Sequence, residues 1–518
     1  MTIVSAHAAG RGLATRDQPG DQPGVRTLQA IAAPMTLPLP VWLFLAALLL
    51  PVEFQVGPLS MTLMRLLLLA MVVPLTIRLF RGRFGRVYPT DILFFLHIGW
   101  ATLALGVNNP NAVVQNVGSN GVEFIGAYVL ARAYIRSRET FTALCRALVI
   151  MVLLTVPFAV FETLTGKPVI IEMIKTLPGL TSFTNMDMDK RLGLDRVQAV
   201  FNHPIHYGLF CSVVFSLTFV ALKGRISPVR RYVSSAVVVA AGFLALSSGA
   251  FLAILLQLGL IFWNTVFARV RIRWVLLVAL FGLAYIAIDL LSNRTPIRVF
   301  MSYATFSAQT AYWRSLIFEY GTANVWASPV FGIGLNDWVR PDWMGTSSVD
   351  NFWLVMAMRY GIPGFVFITL GYAGAVIAIM RRKFTGDAVL SQIRLAWVFT
   401  FLGLSFTLST VHIWTSIYSF VFFMLGAGFW MITAQPQTDA GPQTDTPSRT
   451  GDAPRRRDAP GSMPKPVPQP VPQPTSAVGP RYTRFGPRSF PQSRPSPTID
   501  SVTAQPTAGI SLPSKPQK

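Results

Sequence analysis

The sequence predicts an all-α polytopic membrane helix bundle, with about twelve transmembrane helices and two long segments on one face. Two observations carry that prediction. Mean hydropathy is +0.48, and only 13% of the 518 residues are charged, outside the range of soluble globular chains. Positive charge also returns in every second loop between the apolar stretches, as it does when loops alternate between the two sides of a bilayer.

A span needs about 20 mostly apolar residues. The stretches that qualify begin with Leu37–Phe54, Leu59–Phe80, Ile92–Val107, Val113–Tyr134, Leu144–Phe161 and Ile205–Leu222. They continue with Val233–Leu246, Phe251–Phe267, Val275–Leu291, Phe352–Met380, Leu395–Val411 and Ile417–Ile432. The charged loops are Arg78 to Arg86, Arg132 to Arg138, Lys223 to Arg231, Arg269 to Arg273, and Arg381 to Lys383. The loops between them, such as Asn108–Asn111, are nearly uncharged. This alternation predicts that the arginine-rich loops and both termini lie in the cytoplasm.

Three domains follow. Residues 1–36 form a polar cytoplasmic tail with Arg11, Arg16 and Arg26 and no apparent cleavable signal peptide. Residues 37–433 form the membrane domain, with long outer segments at 163–204 and 292–351. Residues 434–518 carry Pro-Val-Pro-Gln repeats that cannot bury a core, and are expected to be disordered or partly polyproline II. That tail is either passive or a docking site for an SH3-like partner or anionic lipid. Connections as long as the two outer segments are usually functional or disordered, and their aromatic residues argue for packing. Thr310–Asn324 reads as an amphipathic helix, with Tyr312, Trp313, Ile317 and Tyr320 available to an interface.

The net charge of +22 would raise nucleic acid as a partner of a soluble protein. Here cytoplasmic loops explain it, and no nucleic acid is expected. Cys145 and Cys211 both fall in apolar stretches, so neither a disulfide framework nor a cysteine metal site is expected.

Ionisable residues inside spans cost about 2.5–3.5 kcal/mol each on insertion scales. Arg65 and Glu123 are two such residues. They read either as a buried pair that fixes helix packing or as an arginine facing an anion-binding cavity. Arg196, His203 and His206 come to the outer surface just before a span. His203 precedes Pro204, so its backbone is extended, and its ring is either structural or free to enter a cleft. Arg294, Arg298, Arg314 and Arg340 lie on the outer side, against the topological trend, and guanidinium groups suit diphosphate. Tyr360-Gly-Ile-Pro-Gly364 interrupts an apolar stretch and predicts a break that draws Asp350 and Asn351 toward the membrane.

In this order the features resemble the O-antigen ligase and polymerase superfamily, bacterial membrane glycosyltransferases. Three patches carry the likeness. Arg196 to Gly208 is similar to R-x-x-G-x-F-x-H-P, and Leu246-Ser-Ser-Gly-Ala250 to an S-R-G-A turn. Arg314, Pro329 to Gly334, Asp350 to Leu354 and Gly361 follow an R…P-x-x-G-x-G…H-N-x-x-L…G series. Ala199 stands where the family has glycine, Ser248 where it has arginine, and Asp350 where the ligases have histidine. The last departure points to the exopolysaccharide polymerase branch.

The resemblance implies transfer of a glycan from polyprenyl diphosphate to a sugar hydroxyl, without cofactor or metal, in the periplasmic leaflet of the bacterial inner membrane. It implies His203 and Asp350 as candidate bases. Arg196 and Arg314 would hold the diphosphate, with Arg65, His206 and Asn351 as further binding candidates. Partners would be the lipid-linked oligosaccharide, membrane lipid and polysaccharide export machinery. The alternatives are an O-antigen ligase, a peptidoglycan-type polymerase, and a transporter or flippase of lipid-linked sugars. No internal repeat favours the transporter.

Overall fold

Helices begin where short polar side chains cap them. Thr62, Ser137, Ser227, Ser247, Asn351 and Asp387 each accept a hydrogen bond from a backbone N–H of the first turn that follows. The computed structural model describes residues 37–436, except 58, 187, 294–298 and 300–307. The tail 1–36, nearly all of the tail 434–518, and Arg294 and Arg298 therefore lie outside the described residues. All described residues belong to the unit Met1–Gln443, and the second unit, Thr444–Lys518, lies outside them.

In chain order the helices are α1 (Leu39–Leu49), α2 (Leu63–Phe80), α3 (Pro89–Asn108), α4 (Val113–Gly121) and α5 (Ala127–Tyr134). Then come α6 (Arg138–Thr165), the short α7 (Val169–Lys175), α8 (Pro204–Ser216), α9 (Pro228–Leu244), α10 (Ser248–Val266) and α11 (Arg273–Leu291). The last are α12 (Ala308–Ala327), α13 (Phe352–Met380), α14 (Ala388–Thr407), α15 (Thr415–Gly426) and α16 (Trp430–Thr433).

Among the described residues, nine helices are long and apolar enough to cross a membrane, fewer than the expected dozen. The other three expected spans are present but fall short of that measure. The α1 helix has 11 residues, α9 has 17, and a π turn at Val122–Gly126 divides α4 from α5.

The first two spans also need correction. Helix α1 stops before Pro51, and β1 (Val52–Val56) pairs antiparallel with β2 (Leu59–Thr62) and β3 (Thr181–Ser182). Hydropathy hid this sheet because Val-Glu-Phe-Gln-Val is apolar at alternate positions, the period of a strand. Gly57 turns the hairpin at φ +60°.

The arginine-rich loops meet one another on one face. Arg132 and Arg136 donate to the carbonyls of Arg86 (3.2 Å) and Arg83 (3.4 Å). Arg146 donates to Arg225 O (3.1 Å), and Arg225 to Val389 O (3.4 Å). The β1–β3 pairing brings the first connection, which has no Lys or Arg, to segment 163–204, and Asn109 donates to Asn336 Oδ1 at 3.0 Å, so both long segments share a face with loops that lack basic residues.

Between the faces the helices pack through small residues, as membrane helices do. A Cβ on Gly208 would stand 2.6 Å from Ala250 Cβ, which shows how closely α8 and α10 approach. Helix α12 is present as expected, but Ile317 is buried with Leu354 and Met358 of α13 rather than lying at an interface.

Candidate functional site

Two local structures build the site. In the first, the segment before α8 lies on the turn between α9 and α10. Val197 N donates to Leu244 O (3.1 Å), Arg191 Nη1 to Leu246 O (2.7 Å), and Arg196 Nε to Ala245 O (3.5 Å). Ala199 takes φ +53°, the left-handed region that favours glycine. The Glu162 carboxylate holds it there by accepting the N–H groups of Gln198 (2.7 Å) and Ala199 (3.0 Å). His203 then caps α8, its Nδ1 accepting Ile205 N–H at 3.0 Å.

In the second, Pro329 to Gly334 docks on the break in α13. Gly361 has φ 69° and ψ −179°, as the Tyr-Gly-Ile-Pro-Gly segment predicted. Ile333 N donates to Met358 O (2.7 Å), Gly334 N to Arg359 O (3.2 Å), and Ile362 N to Pro329 O (2.7 Å). The glycine-rich patch thus satisfies backbone groups freed by the break, a requirement in a membrane. A Cβ on Gly361 would run into Val330 O, and one on Gly332 into Met358 O. Asn351 Oδ1 caps the start of α13 by accepting Leu354 N–H at 3.1 Å.

Between these two structures opens a cavity of about 640 Å³. His203, Asn336, Asp337, Ser348, Asp350, Arg359, His412 and Trp414 are among the residues that line it. Asp350 Oδ1 accepts Ser348 Oγ–H at 3.1 Å. Arg196 and Arg314 are not among the residues that line it. Both feel the Asp350 charge: burial pulls Arg196 down to about 10, Arg191 adds to this, and Asp350 opposes it. Arg314 is likewise lowered by burial, with Asp350 opposing and Arg191 adding. Burial takes His203 down to about 4, helped by Arg196 and Arg191. Among the described residues no acceptor meets the buried Arg314 Nε, and no carboxylate lies within ion-pair distance of Arg196.

The cavity therefore brings His203 and Asp350 together, with Arg196 and Arg314 close by. It does not include Arg65, which pairs with Glu123 at 2.7 Å and lines a separate cavity of about 380 Å³. His206 is fully buried, its ring 4.1 Å from that of Trp414, and Asn351 serves as a cap.

Sequence reasoning missed Arg191, Arg359, His412 and Trp414. Arg191 carried the same signal as its neighbours, a cation on the outer segment, and Arg359 the signal of a charge inside an apolar stretch. His412 and Trp414 reach the site only through tertiary packing. Among the described residues no group of three His, Cys, Asp or Glu side chains is placed to hold a metal ion.

Fold and cavity define the class: a multi-pass membrane protein with an arginine-backed polar cavity on the face opposite its basic loops. Residues 233–369, about a quarter of the chain, match the family described as O-antigen ligase. This match supports the O-antigen ligase and polymerase superfamily, whose members are glycosyltransferase-like enzymes acting on lipid-linked glycans. The matched segment runs from α9 past the break in α13, and so includes Arg314, Asp350 and Arg359 but not Arg191, Arg196 or His203. A search of curated proteins gives no match.

Proposed function

We propose that this protein polymerises polyprenyl-diphosphate-linked glycan units in the cavity, on the periplasmic side of the bacterial inner membrane. The basic loops gathered on the opposite face support that sidedness, with both termini cytoplasmic. The observation that carries the proposal is the grouping of Asp350 and His203 in one cavity backed by Arg191, Arg196 and Arg314.

In the proposed step the acceptor hydroxyl oxygen bonds to the anomeric carbon as the bond to diphosphate breaks. The polyprenyl diphosphate leaves with the bonding electrons, and the hydroxyl proton passes to Asp350. Arginines fixed before reaction stabilise the charge that develops on the leaving oxygen. Asp350 is a better base than His203. At neutral pH the His203 ring is neutral, and its Nδ1 already accepts Ile205 N–H. Its single proton therefore sits on Nε2, which leaves neither ring nitrogen with a free lone pair to take another.

The surface glycan of a deletion strain tests the proposal. Loss of secreted polymer with intact lipid A–core decoration is expected. The reverse pattern would make the chain a ligase, and lipid-linked units trapped on the inner leaflet would make it a flippase.

A further inference from the structure

One arginine of the cavity wall, Arg359, takes no part in the transfer step above. Arg359 lies inside the apolar α13, two residues before the break at Gly361. A charge there costs about 2.5–3.5 kcal/mol on insertion scales and marks a functional position by default. Its backbone is fixed, since Gly334 N–H and Ile333 N–H bind the carbonyls of Arg359 and Met358. Among the described residues no carboxylate forms an ion pair with Arg359. The side chain lines both the large cavity and an adjoining void of about 40 Å³ that reaches His97, Asn120 and His412.

Trp414 lines the same two spaces. The rings of His203 (5.8 Å) and His206 (4.1 Å) meet it edge to face, and His412 stacks beside it at 5.7 Å. The next residue, Thr415, has φ +48°, a strained conformation for a β-branched side chain. Its hydroxyl is bound to Asn202 Oδ1 at 2.6 Å. Strain that surrounding contacts hold in place is a mark of functional positions. An aromatic face, electron-rich at its centre, suits the C–H face of a sugar ring.

Arg359 lines the cavity, whereas Arg191, Arg196 and Arg314 are not among its lining residues. Arg191, Arg196 and Arg314 act on one another, on Asp350 or on His203. Arg359 acts instead on its neighbour Tyr360, to which its side chain hydrogen-bonds, and on His412, which burial first and then Arg359 lower to about 3. In the step proposed above the diphosphate is held by Arg196 and Arg314, which leaves Arg359 for another anionic group. A guanidinium binds a carboxylate through two parallel hydrogen bonds.

We propose that Arg359 and Trp414 form a subsite for an acceptor sugar that bears a carboxylate, with the ring on Trp414 and the carboxylate on Arg359. The acceptor role and the choice of a carboxylate rest on the transferase proposed above; the anion site at Arg359 does not. The full chain in lipid nanodiscs is titrated by calorimetry with a disaccharide ending in a uronic acid, with its neutral counterpart, and with inorganic diphosphate.

The acidic sugar should bind at least ~10-fold more tightly than the neutral one, a gap of about 1.4 kcal/mol. Arg359→Gln should abolish that preference, Arg359→Lys should restore part of it, and Trp414→Phe or Trp414→Leu should weaken both sugars. Arg314→Gln should weaken diphosphate and leave the preference for the acidic sugar in place. Equal affinity for the two sugars overturns the subsite, and so does an Arg359→Gln effect confined to diphosphate. Uronate binding that depends on Arg359, alongside diphosphate binding indifferent to Arg314→Gln, would instead sink the transferase and keep the subsite.

Discussion

One arginine on the basic-loop face and two on the cavity face show how structure separates scaffolding from chemistry. On the basic-loop face, Arg132 Nη1 lies 2.6 Å from Asp91 Oδ1, with the two side chains 2% and 0% exposed. Tyr128 donates to the same carboxylate oxygen at 2.6 Å, and the Arg132 guanidinium lies over the rings of Tyr88 (5.1 Å) and Phe429 (4.5 Å). On the cavity face, among the described residues, Arg196 reaches only Ala245 O at 3.5 Å and Met188 Sδ at 3.3 Å, and Arg314 Nε meets no acceptor. A cation whose charge is already answered holds helices together. One whose charge is not answered is available to an anionic ligand, and the difference makes opposite predictions for mutation.

The largest effect should follow Arg314→Ala or Arg196→Ala on the cavity side. Each should cut glycan transfer by about 10²–10³-fold, as loss of a transition-state donor does, while membrane insertion and melting temperature stay near wild type. Transfer near the wild-type rate in both variants would remove the diphosphate role.

On the scaffold side the order reverses. Asp91→Ala leaves Arg132 buried without its partner, which costs about 3–5 kcal/mol. Its melting temperature should fall sharply, and any protein that still folds should retain transfer per folded molecule. A stable Asp91→Ala protein would mean that this pair is not the scaffold it looks like.

Asp350→Asn and His203→Gln sharpen the comparison within the cavity. Loss of a general base costs about 10²–10⁴-fold, so Asp350→Asn should fall in that range. His203→Gln should lose less, because glutamine still offers a donor. Single-turnover assays would show the order, and a larger loss at His203 would exchange the two roles.

The smallest effect concerns pH. His203 titrates near 6.5 when unfolded and near 4 in the folded protein. Between those values the unfolded chain binds the extra proton, so stability rises with pH there. His203 thus contributes fully above about 6.5 and loses that contribution as pH falls toward about 4. Melting temperatures from pH 7.5 to pH 4.5 should decline less steeply in His203→Gln. Parallel curves would place the titration elsewhere.

What could be read in the sequence was whatever depends on local pattern. Apolar stretches located the helices, alternating arginines separated the two faces, and Tyr360 to Gly364 marked the break. The opposite charges of Arg65 and Glu123 made their pair foreseeable, and contact at 2.7 Å realises it. The β1–β2 hairpin was hidden because its apolar positions merged with the helices on either side. Arg359 was hidden in the same way, one charge averaged into a long apolar stretch. His412 and Trp414 had no local signal, since their place beside His203 depends on how α15 packs against α8. Ala199 shows the limit of motif matching. It departs from the family glycine, yet it keeps the left-handed backbone a glycine would take, because Glu162 binds the adjacent N–H groups.

The most direct measurement is transfer by the purified full chain in nanodiscs, supplied with a polyprenyl-diphosphate-linked glycan and followed by mass spectrometry of the lipid and glycan products. Arginines without a carboxylate partner among the described residues predict longer glycan and free polyprenyl diphosphate from wild type, with at least ~10²-fold less of both from folded Arg314→Ala or Asp350→Asn. Donor left intact by wild type, or elongation at the wild-type rate in Arg314→Ala, would contradict the assignment of this cavity to glycan transfer.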